Sequence, residues 1–291
     1  MRMDVVDSML TEEEKWRFDL QGFMVLRQVI PSDALKQMLA VLEHWLAIDE
    51  TQIPAPLVRH RQEPYKTHID HIQYGHKLFQ DLAANEHIIR AVAGLQMNAP
   101  RLFHCNFTHM TRGTGEDFDL HRDDSGFKFP SGFRNPHNDY QTAHGQIYCS
   151  HLVTWIALSP VPAGTGFTVV PGSHKSAFAA PDNFSGHSDP ALAESIPLDP
   201  GDCVICATSV LHNAKPWTED YPRLNIFQRY QLSAYFNETG KEGYPLEEHR
   251  DRISAEQYEL ESLSKETKAV VRRAQKRFSH QQLDDGERST P

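Results

Sequence analysis

The spacing of hydrophobic residues changes from helical in the N-terminal third to alternating in the part that follows. Apolar positions three and four apart predict a short helix over residues 8–18, a helix beginning at Ser32, which can cap it, and a longer helix over residues 77–95. A strand is predicted over residues 22–29, and the proline-rich segment 51–64 predicts an irregular crossing. These helices are expected to pack on the outside of a sheet.

Alternating apolar and polar residues with frequent turns begin at residue 101. The pattern is typical of an antiparallel double-stranded β-helix, a jelly-roll or cupin-like core, so the expected fold class is mainly β with flanking helices. The predicted strands cover residues 101–111, 118–121, 146–158, 166–170, 196–198, 202–207 and 224–234.

Beyond this core the chain becomes charged and helical again. Ser254 can cap a helix that reaches Phe278, and its thin apolar stripe could dock on the barrel or on a second subunit as a dimer contact. The polar tail after that helix is expected to be disordered. We predict a single domain over residues 1–245, with helices over 8–95 and a jelly-roll core over about 101–235, followed by a helical extension over 246–291 with its disordered tail.

A His-x-Asp triplet at His121 and Asp123 is the first candidate for chemistry. Residues two apart on a strand point to the same side, and His212, arriving from a distant strand, could complete one face of an octahedral ion. Such a triad of two histidines and one carboxylate is typical of non-haem iron(II) oxygenases. The triplet at 121 follows a strand-like segment and a turn, which favours it over the same spacing at His68/Asp70, His137/Asp139 and His187/Asp189.

Composition and charge narrow the possible classes of protein. The 291 residues are 39% hydrophobic and 23% charged, so a sizeable core is possible, and the net charge of −10 argues against a nucleic-acid partner. No apolar run approaches the ~20 residues that span a bilayer, and the acidic start argues against an ordinary signal peptide. Cys203 and Cys206 lie in an apolar strand, so we expect buried thiols and a reducing, cytoplasmic location.

Several segments, in order, resemble the phytanoyl-CoA dioxygenase family of iron(II)/2-oxoglutarate oxygenases, over roughly residues 15–235. They are Asp19-Leu20-Gln21-Gly22-Phe23-Met24-Val25-Leu26, His121-Arg122-Asp123, Val153-Thr154-Trp155-Ile156-Ala157-Leu158, Pro171-Gly172-Ser173-His174, Gly201-Asp202, and His212 followed by Arg223.

The resemblance implies an activity and its cofactors. It assigns His121, Asp123 and His212 as ligands of iron(II), with 2-oxoglutarate and dioxygen as cosubstrates. The implied reaction hydroxylates, or otherwise oxidises, an unactivated C–H bond of a small molecule and releases succinate and carbon dioxide.

The resemblance also implies a cosubstrate pocket. Arg223 would anchor the distal carboxylate of 2-oxoglutarate, Trp155 would form part of the pocket, and Lys66 would correspond to a lysine of the family. One departure is visible: a hydroxyl residue that some members place two positions after the distal histidine is Ala214 here. Anchoring of the cosubstrate is therefore expected to depend more heavily on Arg223.

The long connection over residues 124–145 predicts a lid over the metal, because long loops inside compact domains are often binding loops. Its Lys128, Arg134 and His137 suggest a polar or anionic small-molecule substrate. His151 shares a strand face with Trp155, so it either lines the same cavity or is a core histidine.

Three other activities compete with the oxygenase interpretation. In halogenases similar to this family the carboxylate ligand is replaced by a small residue, so Asp123 argues against halogenation. A zinc-dependent hydrolase could use the triad but would not explain Arg223 or the segment around Trp155. A non-catalytic metal-binding jelly roll would take up metal without turning over 2-oxoglutarate.

Overall fold

Twelve strands form the body of the fold in the part of the chain that the structure describes. The computed structural model describes residues 9–62, 66–113, 120–123, 139–176, 178, 192–233, 247–263 and 266–287. Its strands are β1 (Phe23–Leu26), β2 (Val58–Gln62), β3 (Lys66–Asp70), β4 (Pro100–Met110), β5 (Tyr140–Ala143), β6 (Gln146–Cys149), β7 (His151–Ala157), β8 (Phe167–Val169), β9 (Glu194–Ser195), β10 (Cys203–Ala207), β11 (His212–Ala214) and β12 (Arg223–Leu232).

These strands form three antiparallel sheets. The main sheet has seven strands in the order β1-β10-β7-β12-β4-β3-β2, a second has the order β11-β8-β9, and β5 pairs with β6. One cavity is lined by residues of both larger sheets. On β12, Arg223, Phe227 and Arg229 line the cavity, whereas Ile226 and Tyr230, on the other face, belong to the hydrophobic core. The predicted mainly β fold with flanking helices is confirmed.

Six α-helices of the described segments flank the sheets, and their ends follow local capping. They are α1 (Glu12–Gln21), α2 (Ser32–Ala47), α3 (Lys77–Ala83), α4 (Glu86–Leu95), α5 (Ala255–Glu261) and α6 (Ala269–Glu287). The single helix predicted over residues 77–95 is wrong, because the Asn85 side chain accepts hydrogen bonds from the backbone of His87 and Ile88 and starts a new helix. Ser32 is the first residue of α2 rather than its cap, and Pro31 occupies the cap position.

Two strand predictions are corrected. The proline-rich crossing contains β2, which forms a hairpin with β3. The single strand predicted over residues 146–158 is interrupted at Ser150, whose N–H donates to the Asp139 carbonyl at 3.1 Å. Its first half pairs with β5 and its second half lies in the main sheet. Ser150 is the point at which the chain passes from one sheet to the other, because its carbonyl accepts from the Leu232 N–H of β12 at 2.8 Å. The alternation of side chains does not reveal this change of partner.

The C-terminal helices pack on the same chain. The charged helix predicted over residues 254–278 is in fact two, and its second part continues to Glu287, beyond the predicted start of a disordered tail. Ser254 caps the first as predicted, and α5 contacts β4 while α6 contacts α4. Of the predicted apolar stripe, Leu260, Val270 and Val271 are buried within the chain and Leu263 is half-buried.

A buried polar cluster holds α5 against β4. Tyr74 donates its hydroxyl to Glu261 Oε2 at 2.8 Å, and Arg101 Nε, on β4, donates to the Glu261 carbonyl at 3.0 Å. Lys268 Nζ donates to the Leu260 carbonyl at 2.9 Å. Burial raises the pKa of Glu261 to about 7 against the opposing effect of its hydrogen bonds, and lowers the pKa of Lys268 to about 7.

Two further expectations concern cysteines and membranes. Cys203 and Cys206 are buried free thiols in β10, as expected, and burial raises the pKa of both. None of the helices in the described parts of the chain combines the length and apolar character needed to cross a bilayer.

Candidate active site

His121, Asp123 and His212 meet at the cavity wall. Their possible ligand atoms all lie within 4.8 Å of one another, and they are the only such cluster of histidine, cysteine and acidic residues that the described segments contain. His121 Nε2 lies 3.7 Å from Asp123 Oδ1, and His212 Nε2 lies 3.9 Å from Asp123 Oδ2. Two imidazole nitrogens and one carboxylate oxygen form the donor set of a facial triad, so these residues fit iron(II).

Backbone pairing of distant segments creates this meeting. His121 and His212 form an antiparallel bridge, with backbone N–H to carbonyl distances of 3.0 and 2.9 Å. The Asp123 N–H donates to the Thr208 carbonyl at 3.0 Å. Arg122, between the two ligands, points away and donates from Nε to the Ser209 carbonyl at 2.9 Å. The triplet is thereby tied to the turn that precedes β11.

The environment of His212 favours the neutral form that metal ligation requires. Burial lowers its pKa, the charges of His121 and Arg229 lower it further, and Asp123 and the Val210 carbonyl oppose these effects. His212 Nδ1 lies 2.8 Å from the Val210 carbonyl. A carbonyl oxygen only accepts, so Nδ1 carries the proton and Nε2 keeps its lone pair for the site.

One end of the cavity beside the triad is built around a buried guanidinium. The cavity has a volume of about 310 Å³. Arg223 Cζ lies 5.4 Å from the ring centroid of Trp155 and 5.9 Å from that of Trp217. The ring of Phe167 lies 4.6 Å from Trp155 and 5.7 Å from His212, which joins this end to the triad. Lys66 also lines the cavity.

This end of the cavity can bind a dicarboxylate that also reaches the metal. Arg223 supplies a fixed positive charge with a planar array of donors. The Trp155 Nε1 donor is buried and has no hydrogen-bond partner among the described residues, so a ligand oxygen would satisfy it. Ala214 lines the same cavity and supplies no hydroxyl.

Of the remaining candidate residues, the structure describes only His151. His151 is buried but does not line the cavity; its ring packs edge-on at 6.0 Å from Phe103. Lys128, Arg134 and His137 lie outside the described residues. The described end of the predicted lid is the β5–β6 hairpin rather than a loop, and the Tyr140 hydroxyl donates to Asp19 at 2.5 Å.

The other His-x-Asp copies lack such a cluster in the described segments. Asp70 pairs with two histidines of neighbouring strands, His60 and His104. A further copy with the same spacing, His249 and Asp251, lies in the turn over Glu247–Arg252. The copy at residues 187–189 lies outside the described segments, as does His137.

Several cavity residues were not identified from the sequence as site residues. Alternation along β3, β4 and β12 could have found them, because they share a face with Lys66 or Arg223. They are His68, Asn106, Thr108, Met110 and Phe227.

Solved structures share this fold at low sequence identity. HygX from Streptomyces hygroscopicus, solved with nickel and 2-oxoglutarate bound, is 20% identical over 79% of this chain and 89% of that chain, with a TM-score of 0.64. The epimerase SnoN, solved with Fe3+, alpha-ketoglutarate and nogalamycin RO, is 22% identical over 79% and 86%, with a TM-score of 0.56. The carbocyclase SnoK is 16% identical over 77% and 85%, also with a TM-score of 0.56.

Sequence comparison gives the family. No curated protein matches the chain. The sequence model of the phytanoyl-CoA dioxygenase (PhyH) family, however, matches residues 18–224, a span that contains the triad and Arg223. The chain therefore belongs to the PhyH family of iron(II)/2-oxoglutarate-dependent oxygenases.

Proposed function

We propose that the chain hydroxylates an unactivated C–H bond of a small-molecule substrate, with His121, Asp123 and His212 as the iron ligands. The observation that carries the proposal is the cluster of these three ligand groups within 4.8 Å, at the wall of a cavity with a buried arginine. When bound, iron(II) together with 2-oxoglutarate and dioxygen supplies the oxidant, and the products include succinate and carbon dioxide.

The residues around the triad bind and orient the cosubstrate. Arg223 forks two hydrogen bonds onto the distal carboxylate of 2-oxoglutarate. Trp155 closes the pocket beneath that guanidinium, and its buried Nε1 donates to a cosubstrate oxygen. Lys66 adds positive charge to the same dianion from β3. The aromatic rings between Arg223 and His212 exclude water from the bound cosubstrate.

The outcome at the substrate carbon needs a direct test, because proteins of this fold include an epimerase and a carbocyclase. A metabolite library is incubated with iron(II), 2-oxoglutarate and air, and succinate and substrate mass are measured together. Hydroxylation predicts one succinate for each substrate that gains one oxygen atom. Inversion or ring closure would give succinate without that gain.

The same assay separates the rival activities. Metal uptake with no 2-oxoglutarate consumption under any condition would identify a non-catalytic metal-binding protein. Product formation that needs zinc but neither 2-oxoglutarate nor dioxygen would identify a hydrolase. Asp123→Ala is the matched variant, since it removes the carboxylate ligand while both histidines remain.

A further inference from the structure

A second arginine lines the cavity, far from Arg223. Arg229 lies on the same face of β12, and 229 − 223 = 6 residues separate the two. At about 3.3 Å per residue their Cα atoms are about 20 Å apart. A short dicarboxylate held at Arg223 and chelated at the triad does not extend to Arg229, so the binding of 2-oxoglutarate leaves this second cation without a role.

A chain of hydrogen-bonding groups orients Arg229. Its Nη1 lies 3.1 Å from His104 Nδ1, which must accept because a guanidinium only donates. His104 Nε2 therefore carries a proton and lies 3.4 Å from Asp70 Oδ1, while His60 Nε2 lies 3.3 Å from Asp70 Oδ2. Burial raises the pKa of Asp70, but the hydrogen bond from His104 and the other neighbouring histidines outweigh it and leave that pKa below its ordinary value. Three side chains, one each from β4, β3 and β2, thus fix the guanidinium of Arg229.

The charge of Arg229 is not neutralised by a direct ion pair within the described segments. Its described hydrogen bond to His104 uses one of the five N–H donors of a guanidinium, and the residue is half-buried at the cavity wall. Asp70 reaches Arg229 only through His104. The remaining donors match the two oxygens of an oxyanion, which a guanidinium binds in a fork.

An orphaned amide oxygen on β4, the strand next to Arg229, is an independent sign of a ligand. Asn106 is 8% exposed and lines the cavity on β4, one position along the face from His104. Its Oδ1 is buried and has no hydrogen-bond partner among the described residues. Such atoms are rare in native proteins, and a bound molecule that donates a hydrogen bond would satisfy this one. Val153, opposite Arg229 on β7, supplies an apolar wall.

We propose that Arg229, oriented by His104, binds an oxyanion of the substrate, so that the substrate is a small carboxylate or phosphate that also donates a hydrogen bond to Asn106. This inference rests on the proposed function and adds the substrate class to it. Arg223 and Arg229 then divide the cavity between cosubstrate and substrate, with the triad between them. His104 is a positioning residue, because it acts through Arg229.

Binding measurements test the inference without turnover. Protein loaded with iron(II) and saturating 2-oxoglutarate under anaerobic conditions is titrated by calorimetry with butyrate, benzoate and inorganic phosphate, and with butyramide, benzamide and trimethyl phosphate as neutral counterparts. Saturating 2-oxoglutarate keeps the probes away from Arg223. At least one anion is expected to bind to Arg229→Gln at least about tenfold more weakly than to the unaltered protein, because the variant lacks the charge-assisted pair. The affinity of its neutral counterpart is expected to be the same for both proteins.

Titration with the two carboxylates and titration with inorganic phosphate distinguish the two sources of the oxyanion.

Arg17→Gln, at an exposed residue of α1, is the matched control for the loss of one charge. The inference is overturned if no anion prefers the unaltered protein to Arg229→Gln, or if the neutral probes bind equally well. Loss of 2-oxoglutarate affinity in Arg229→Gln would overturn it too, by making this residue a cosubstrate anchor.

His104 variants test the positioning. His104→Leu is expected to weaken binding of the selected anion without changing 2-oxoglutarate affinity, and His104→Gln is expected to restore it because an amide oxygen can accept from Arg229. If His104→Leu binds the anion as tightly as the unaltered protein does, His104 does not position Arg229. Normal turnover without anion preference would refute this inference alone. Anion preference without any iron-dependent 2-oxoglutarate consumption would refute the proposed function alone.

Discussion

Replacing Glu261 with Gln should make the stability of the protein less dependent on pH. The carboxyl is buried at the junction of α5 and β4, and its pKa is raised from 4.5 to about 7, chiefly by desolvation. Since the folded state binds this proton more tightly than the unfolded state, Glu261 stabilises the fold most below pH 4.5. That contribution falls as pH rises from 4.5 through about 7.

The size of the stability difference follows from the pKa shift of Glu261. A rise of roughly 2.5 pKa units, at about 1.36 kcal/mol per unit, corresponds to roughly 3 kcal/mol. The amide of Gln does not titrate and can still meet Tyr74 and Gln73 by hydrogen bonds. Glu261→Gln should therefore exceed the unfolding free energy of the unaltered protein by less than about 1 kcal/mol near pH 5 and by up to about 3 kcal/mol near pH 8.

Urea unfolding followed by circular dichroism at both pH values measures the difference. Glu43→Gln, at an exposed position of α2, controls for the loss of a surface carboxylate. Lys268 titrates in both proteins: its depressed pKa adds stability as pH rises from about 7 to 10.5. The reasoning is refuted if the stability difference between Glu261→Gln and the unaltered protein is the same at pH 5 and pH 8, or becomes smaller at pH 8.

Three further substitutions test a metal ligand, the cosubstrate anchor and the turn at Gly201. His212→Ala should weaken iron(II) binding, measured by equilibrium dialysis, by more than about a hundredfold, since even outer-shell changes cost 10–100-fold; near-normal affinity would exclude His212 as a ligand. Arg223→Leu should raise the dissociation constant of 2-oxoglutarate by tens to thousands of fold, at about 2–5 kcal/mol, while iron still binds. Gly201→Ala should lower the melting temperature, because Gly201 has φ +97° and an added Cβ would lie 2.8 Å from the Ile30 carbonyl oxygen; an unchanged value would contradict that contact.

Local sequence was enough for the features that neighbouring residues encode. Side chains two apart on a strand share a face, so His121 and Asp123 could be paired from the sequence, and alternation after residue 101 predicted the β core. Family motifs added His212 and Arg223, and the structure brings both to one cavity. Each of these features depends on a few residues, which is why the sequence alone predicts them.

Other features depend on which distant segments pair. Ser150 divides a predicted strand because its N–H pairs with Asp139 and its carbonyl with Leu232 of another sheet. The C-terminal stripe is buried because α5 meets β4 and α6 meets α4. Arg229 becomes a cavity residue with an oriented guanidinium only when β12, β4, β3 and β2 lie side by side. Sequence periodicity shows that a face will be covered, whereas long-range backbone pairing decides what covers it, and only the tertiary structure contains that pairing.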